Sequence, residues 1–198
     1  MSNHRRVGSS PISRTIRETS FVCHRQKRFF TAIIDAFRNI LIYSFQQGST
    51  IMITIRKFTH EDIAAVQQSL YPDLTASQLL EMIDKWNSGS CRGRRFEMFA
   101  ILSDERIVGC VSLYEHSEHI ASAGAEMIAE ERRKGVASQA LSLLMQHASD
   151  IGYRIILDQV AADNTASIQL HKKLGFESDG YIYRNRRGRE VVLFLKLI

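Results

Sequence analysis

The stretch Gly124–His147, GAEMIAEERRKGVASQALSLLMQH, decides how the chain folds. Its first part, Ala125-Glu126-Met127-Ile128-Ala129, is a short, mostly apolar run of the kind that fills a buried strand. Glu130 to Lys134 then break the run with charge. From Gly135 onward, Val136, Ala140, Leu143, Leu144 and His147 recur at helical spacing, with Ser138, Gln139 and Ser142 between them. The segment therefore reads strand, tight loop, helix. A helix N-terminus offers unpaired N–H groups and a partial positive charge, which suits a phosphate. Gly135 lets the backbone approach an anion with no Cβ in the way, and small Ala137 and Ser138 keep the first turn open. Arg132, Arg133 and Lys134 add positive charge at the same spot. On physics alone the alternative is a loop of solvated charges ahead of an ordinary surface helix.

Composition narrows the class. A chain of 198 residues with 44% hydrophobic residues has room for one ordinary globular domain plus an appendage. The net charge of +5 is unevenly placed. Residues 1–51 hold Arg5, Arg6, Arg14, Arg17, Arg25, Lys27, Arg28 and Arg38 against Glu18 and Asp35, so they carry +6 and the remainder −1. A nearly neutral domain gives no case for nucleic-acid binding. Cys23, Cys91 and Cys110 are odd in number and form no C-x-x-C pair, which fits a reducing cytoplasm better than a disulfide framework. The most apolar stretch, Phe29 to Phe45, is interrupted by Asp35, Arg38 and Asn39 and predicts no membrane span.

Two regions follow, 1–51 and 52–198. In the first, Met1 to Thr19 are Arg- and Ser-rich and predict disorder, while Phe29, Ile33, Phe37, Ile40 and Leu41 trace a helical stripe over 29–45 that ends at Gln46-Gln47-Gly48. Three readings compete: a targeting peptide, a helical extension packing on the domain or on a second subunit of a homodimer, or an upstream start codon with the natural start at Met52. We favour the last, because the pattern from Ile53 onward needs nothing before it to finish a strand or helix. Thr59-x-x-Asp62 and Thr75-x-x-Gln78 are capping-box starts for two helices, the second carrying Leu79, Ile83 and Trp86. Phe96–Leu102 and Ile107–Tyr114 read as strands, with Asn87–Arg95 as loop. Tyr153–Val160 reads as a further strand and Thr165–Leu174 as a helix stopped by Gly175. Phe176–Tyr183 and Glu190–Lys196 read as a closing hairpin.

Arg132-Arg133-Lys134-Gly135-Val136-Ala137 resembles the [QR]-x-x-G-x-[GA] acetyl-CoA loop of the GNAT N-acetyltransferase superfamily. Asn164 to Phe176, NTASIQLHKKLGF, is similar to that family's second CoA-facing segment. The resemblance covers roughly Ile53 to Ile198, and the element order β-α-α-β-β-β-α-β-α-β-β agrees with it. It implies a mixed α/β fold, a mostly antiparallel sheet flanked by helices and splayed after the signature strand. It further implies transfer of acetyl from acetyl-CoA to a small-molecule or protein amine by direct attack, without a metal. Two alternatives remain: transfer of a larger acyl group, and a non-catalytic module that senses acyl-CoA.

By the same resemblance the backbone of Ala125 and Met127 binds pantetheine, the N–H groups of Arg133 to Ser138 (Arg133, Lys134, Gly135, Val136, Ala137, Ser138) cradle the pyrophosphate beside Arg132, and Asn164 contacts the CoA arm. His171 stands where the family most often has a tyrosine acting as general acid to the thiolate. An imidazole can fill that role, and a helix-surface histidine is the plain alternative. Glu126 and Glu115 are the candidate bases, with a water-mediated route as the other possibility; strand alternation turns Glu126 away from the face of Ala125 and Met127. Tyr71 and Trp86 border the expected acceptor site, core packing being the competing use of Trp86. His116 and His119 sit three apart but lack a distant third ligand, so no metal is expected.

Overall fold

Two long strands, β4 (Arg94–Ser103) and β5 (Arg106–Ser117), carry apolar side chains on both faces through their middles and form the centre of a sheet. The chain is described by a computed structural model at residues 43–45 and 52–198. The other strands are β1 (Tyr43–Phe45), β2 (Ile53–Lys57), β3 (Ser90–Cys91), β6 (Ile120–Met127), β7 (Ile155–Ala161), β8 (Ile182–Arg184) and β9 (Glu190–Leu197). The helices are α1 (Ile63–Ser69), α2 (Ala76–Asn87), α3 (Val136–Asp150) and α4 (Thr165–Lys173). The strand order is β1-β2-β4-β5-β6-β7-β9-β8, with β3 paired only to β4. Every neighbouring pair is antiparallel except β6 and β7, which run parallel and meet only at Ile120–Ile155 and Ala121–Ile156. This is the expected mixed α/β architecture with its sheet splayed after β6.

Each face of the sheet buries its own cluster. Phe58, Val66, Leu79, Ile83 and Trp86 pack with Ala100, Leu102, Ile107 and Cys110 on the α1/α2 face. On the other face, Val136, Ala140, Leu141 and Leu144 of α3 cover Phe99, Ile101, Val111 and Leu113, and Ile168, Leu170 and Leu174 bring α4 against the same cluster. Gly109 on β5 allows β6 to lie close: a Cβ there would stand 2.3 Å from the Glu126 carbonyl oxygen.

Several local expectations are met and several are displaced. Thr75 caps α2 by accepting from the Gln78 N–H (3.3 Å) while Gln78 reaches back to the Thr75 N–H (2.9 Å). Asp62 accepts from the Thr59 N–H (2.8 Å), but the first turn, His60–Asp62, is 3₁₀ and α1 follows it. Tyr43–Phe45 is a strand on the free edge of β2, where the helical stripe was expected to run to Phe45; β-prone Tyr and Phe find an unpaired backbone there. The remainder of the expected 29–45 helix lies outside the described residues. β5 runs past the expected Tyr114 to Ser117 and β6 starts at Ile120, so His116 is on a strand and Glu118-His119 make a tight turn. Asn87–Arg95 contains the small β3–β4 hairpin, and the first strand of the closing hairpin shrinks to β8 plus a single bridge, Glu177–Leu195.

A buried polar group ties α3 to the sheet. Glu97 accepts from His147 Nε2 (2.8 Å) and lies 3.5 Å from Lys57 Nζ and 3.7 Å from an Arg95 nitrogen. Burial alone would push the Glu97 carboxyl up, but His147, Lys57 and Arg95 together hold it down at about 2. A carboxylate depressed in the folded state contributes stability above its unfolded pKa, which is lost as pH falls through the folded value. Glu97 is therefore expected to account for roughly 2–3 kcal/mol of acid destabilisation between about pH 4.5 and pH 2. Denaturant melts at pH 7, 4 and 3 test this: Glu97→Gln should show a flatter acid limb than wild type, and parallel limbs would remove Glu97 from it.

Candidate active site

A strand that leaves its neighbour exposes backbone donors, and those donors must find partners. After Ala121–Ile156, β6 and β7 diverge, and the next β6 donor on that side, the Ala123 N–H, is taken by the Asp158 carboxylate at 2.8 Å. Ile128 donates in the opposite direction, to the Val108 carbonyl at 3.1 Å. By alternation the Ala125 and Met127 N–H groups point into the gap, as Ala123 does. The Met127 carbonyl already accepts from Arg132 Nε (3.1 Å), which fastens the following loop to the strand.

The gap opens into a cavity of about 700 Å³. Ser122 to Ala125 form one wall, Leu157 to Ala161 another, and Asn164, Ser167, Leu170 and His171 a third, with Leu141, Ser112, His116 and Arg189 at its edges. Of the predicted site residues, Ala125, Asn164 and His171 line it; Glu126, Glu115, Met127 and the 132–138 loop lie outside the lining. The Asn164 side-chain oxygen caps α4 by accepting from the Ser167 N–H (3.1 Å).

His171 is buried rather than a plain surface histidine. Its Nδ1 lies 2.8 Å from the Ser167 carbonyl oxygen and its Nε2 3.2 Å from Asp158 Oδ2, while Phe176 and Phe194 pack on the ring at centroid distances of 4.8 and 5.2 Å. Burial works against its charge, yet the bond to Asp158 and the Ser167 carbonyl outweigh it and raise its pKa above the ordinary histidine value.

The loop ahead of α3 is held from below. Glu131 is bound by Arg106 and by Lys134 (3.2 Å), and these cations keep its carboxyl below the usual range. Lys134 is therefore partly committed within the loop, as Arg132 is at Met127. Gly135 is the N-cap of α3 at φ 83°, and no side chain caps the helix. Among the described residues, no heavy atom beyond its chain neighbours lies within 4 Å of where its Cβ would stand. A helix start with no side-chain cap and open space in front of its first residue is what an anion needs.

The candidate bases separate. Glu115 accepts from the Tyr153 hydroxyl (3.1 Å); burial first, and then this carboxylate, raise that phenol to about 12. Glu126 points to the α1/α2 face, where the Tyr71 hydroxyl donates to it at 3.0 Å. Burial, together with Cys110 and Glu126, raises the Tyr71 pKa, and burial lifts the Cys110 thiol to about 11. Trp86 is buried against Phe58 (5.0 Å) and Tyr71 (6.2 Å), so it is core. Sequence reasoning passed over Asp158. Its signal was a lone charge in the apolar run Ile155–Ala161, in phase with buried Ile156 and Val160.

The sequence profile of the acetyltransferase (GNAT) domain matches residues 52–177. No curated protein sequence matches the chain. Among solved structures, the chain is similar to RimL, the ribosomal L7/L12 α-N-protein acetyltransferase in complex with coenzyme A, at TM-score 0.63 and 18% identity over 79% of this chain and 98% of that one. An acetyltransferase from Salmonella typhimurium that modifies the N-terminal serine of L7/L12 gives TM-score 0.62 at 20% identity, over 76% and 96%. RimJ of Mycobacterium smegmatis gives TM-score 0.65 at 16% identity, over 79% and 86%. At these identities the likeness is one of fold.

Substitution at Gly135 tests the anion cradle in two steps. Gly135→Ala should cost about 1 kcal/mol through its left-handed backbone, lowering Tm by about 2–4 °C, and leave coenzyme A affinity within a few-fold. Gly135→Glu places a carboxylate over the same N–H groups and should weaken coenzyme A by at least about tenfold relative to the alanine variant. Calorimetry on both variants decides it; equal affinities would take the pyrophosphate away from this loop.

Proposed function

The chain belongs to the GNAT acetyltransferase family, and we propose that it moves the acetyl group of acetyl-CoA onto a primary amine, a polypeptide amine foremost, by direct attack without an acyl-enzyme. The observation that carries this reading is the fork between β6 and β7, past which Ala125 and His171 line one cavity. A thioester is already activated, so most of the acceleration comes from holding it and the amine in line. The residues suit that task. The Ala125 backbone aligns the pantetheine arm, and the Met127 N–H donates to the carbonyl oxygen as negative charge develops on it. The uncapped turn at Gly135–Ser138 holds the pyrophosphate, with the exposed side chain of Arg133 beside it, and Asn164 borders the arm.

Proton traffic falls to opposite faces of the sheet. On the α1/α2 face, Glu126 takes the amine proton, its carboxylate oriented by Tyr71. Glu115, bound in the same way by the Tyr153 hydroxyl, is the alternative base. On the α3/α4 face, the C–S bond breaks and the thiolate takes the Nε2 proton of His171, leaving a neutral imidazole that still donates from Nδ1 to Ser167. The polypeptide acceptor is supported by the names of the fold neighbours, which act on a ribosomal protein's α-amine.

The test is release of free thiol from acetyl-CoA with a panel of small amines, amino acids, lysine peptides and peptides with free α-amines. Release with the α-amino peptides is expected. Tight acetyl-CoA binding with no release across the panel would make the chain a sensor, and faster turnover of longer acyl-CoA would reassign the donor. For His171, His171→Gln keeps volume and a bond to Asp158 but offers no transferable proton, and should lower kcat about 10²–10⁴-fold with acetyl-CoA affinity nearly unchanged. His171→Tyr should recover part of that rate and move the alkaline limb of kcat upward, since phenol and imidazole differ by about 3.5 pKa units. Wild-type turnover in the glutamine variant would leave solvent to protonate the thiolate.

A further inference from the structure

We propose that Asp158 is a positioning residue that performs two tasks with one carboxylate: it fixes the point at which β6 and β7 part, and it holds the His171 ring, as a cation, in the cavity wall. The proposal rests on the reading of His171 as the proton donor.

The first task follows from register. The parallel ladder ends at Ala121–Ile156, and Ala123 and Asp158 come two residues later on their strands. In a continued ladder a β7 carbonyl would accept from the Ala123 N–H. Here Asp158 Oδ1 accepts instead, at 2.8 Å. A side chain reaches where the receding backbone cannot, so the strands diverge with no orphaned donor at the fork. The next donors on that side, by alternation, are the N–H groups of Ala125, which lines the cavity, and of Met127.

The second task follows from hydrogen bonding around the ring. The Ser167 carbonyl can only accept, so the proton at Nδ1 is fixed. Asp158 already accepts at Oδ1, and its Oδ2 faces Nε2 at 3.2 Å, so the ring donates there too. Both nitrogens therefore carry protons. Among the described residues, Asp158 is the one charged group facing the ring: Phe176 and Phe194 cover its sides, and the cavity's other titratable side chains are His116 and Arg189. Without Asp158 a ring this buried would favour its neutral form, with no proton at Nε2 to give. Once Nε2 has given its proton, the carboxylate faces a lone pair, which favours reloading from solvent.

The experiment is an NMR titration of the histidine imidazoles in the full chain, with His171 assigned by its absence in His171→Gln, alongside kcat and KM against pH. In wild type, His171 should stay protonated to a pH above the ordinary histidine value. In Asp158→Asn, which keeps an oxygen for the Ala123 N–H, its midpoint should fall by at least one pH unit. The alkaline limb of kcat should fall with it, while KM for acetyl-CoA changes less than about threefold. A merely structural role would lower Tm and kcat without moving either midpoint. An unmoved His171 midpoint in a folded Asp158→Asn protein overturns the proposal. So does a wild-type His171 that titrates at or below the ordinary histidine value, a result that needs no variant to fold. A midpoint that moves while the kcat profile stays put supports the Asp158–His171 coupling and removes the His171 proton from the rate, which overturns the preceding reading instead.

Discussion

A sheet cannot part in its middle without leaving backbone donors bare, and that constraint shapes this molecule. An unpaired buried N–H costs about as much as a lost hydrogen bond, so a fork survives only where something else accepts. In this chain a carboxylate serves the first donor past the fork, and the next residue on that side, Ala125, lines a cavity. The rest of the architecture keeps that opening in place. β9 pairs with β7 along its whole length, from Ile155–Leu197 to Ala161–Val191, so the strand that leaves β6 is stiffened from its other side. On β6 the opposing constraint is Gly109, where the absence of a side chain lets the strand lie hard against β5.

The loop before α3 obeys the same logic at a helix end. A helix leaves its first N–H groups without intrahelical partners, and most helices spend a side chain on them. α2 does so with Thr75; α3 does not. Its first turn is held from outside instead, by Arg132 on the Met127 carbonyl and by Arg106 and Lys134 on Glu131. Two of the three cations that look like phosphate ligands in the sequence are thus engaged in holding the loop. The proposed anion site is thus left with the backbone of the turn and Arg133, at φ 62°. A basic run beside a glycine does not say which charges are structural; only their acidic partners do, and Glu131 sits in the same run.

Much of the fold was legible because its signals are local. The helical spacing of α3, the capping box of α2, the glycines after α3 and α4 and the two-segment likeness over 132–137 and 164–176 each depend on residues a few positions apart. What escaped depends on partners far away in the chain. Tyr43–Phe45 becomes a strand because β2 offers an edge, which no periodicity in 29–45 encodes. The Tyr153 hydroxyl on Glu115, and the enclosure of His171 by Asp158 and two phenylalanines, join residues that no local pattern connects. Asp158 itself was visible as an anomaly, a charge in phase with buried Ile156 and Val160. An anomaly of that kind says that a partner exists without saying which.

The two faces of one strand then divide the work of the site. Alternation along β6 sends the Glu126 side chain toward α1 and α2, while Ala123 and Asp158 meet beside α4. In the proposed mechanism the proton acceptor and the proton donor are thereby kept on opposite faces of the sheet. Their surroundings differ as their tasks do. The Glu126 carboxylate is exposed and bound by one phenol, so it can exchange protons with water. His171 is enclosed, and needs a permanent countercharge to stay loaded. On that reading acceptor choice comes from the Glu126 side. Trp86 is already packed against Phe58 and Tyr71 there, so the same reading gives recognition to the half-buried tyrosine and the loop that carries it rather than to the indole.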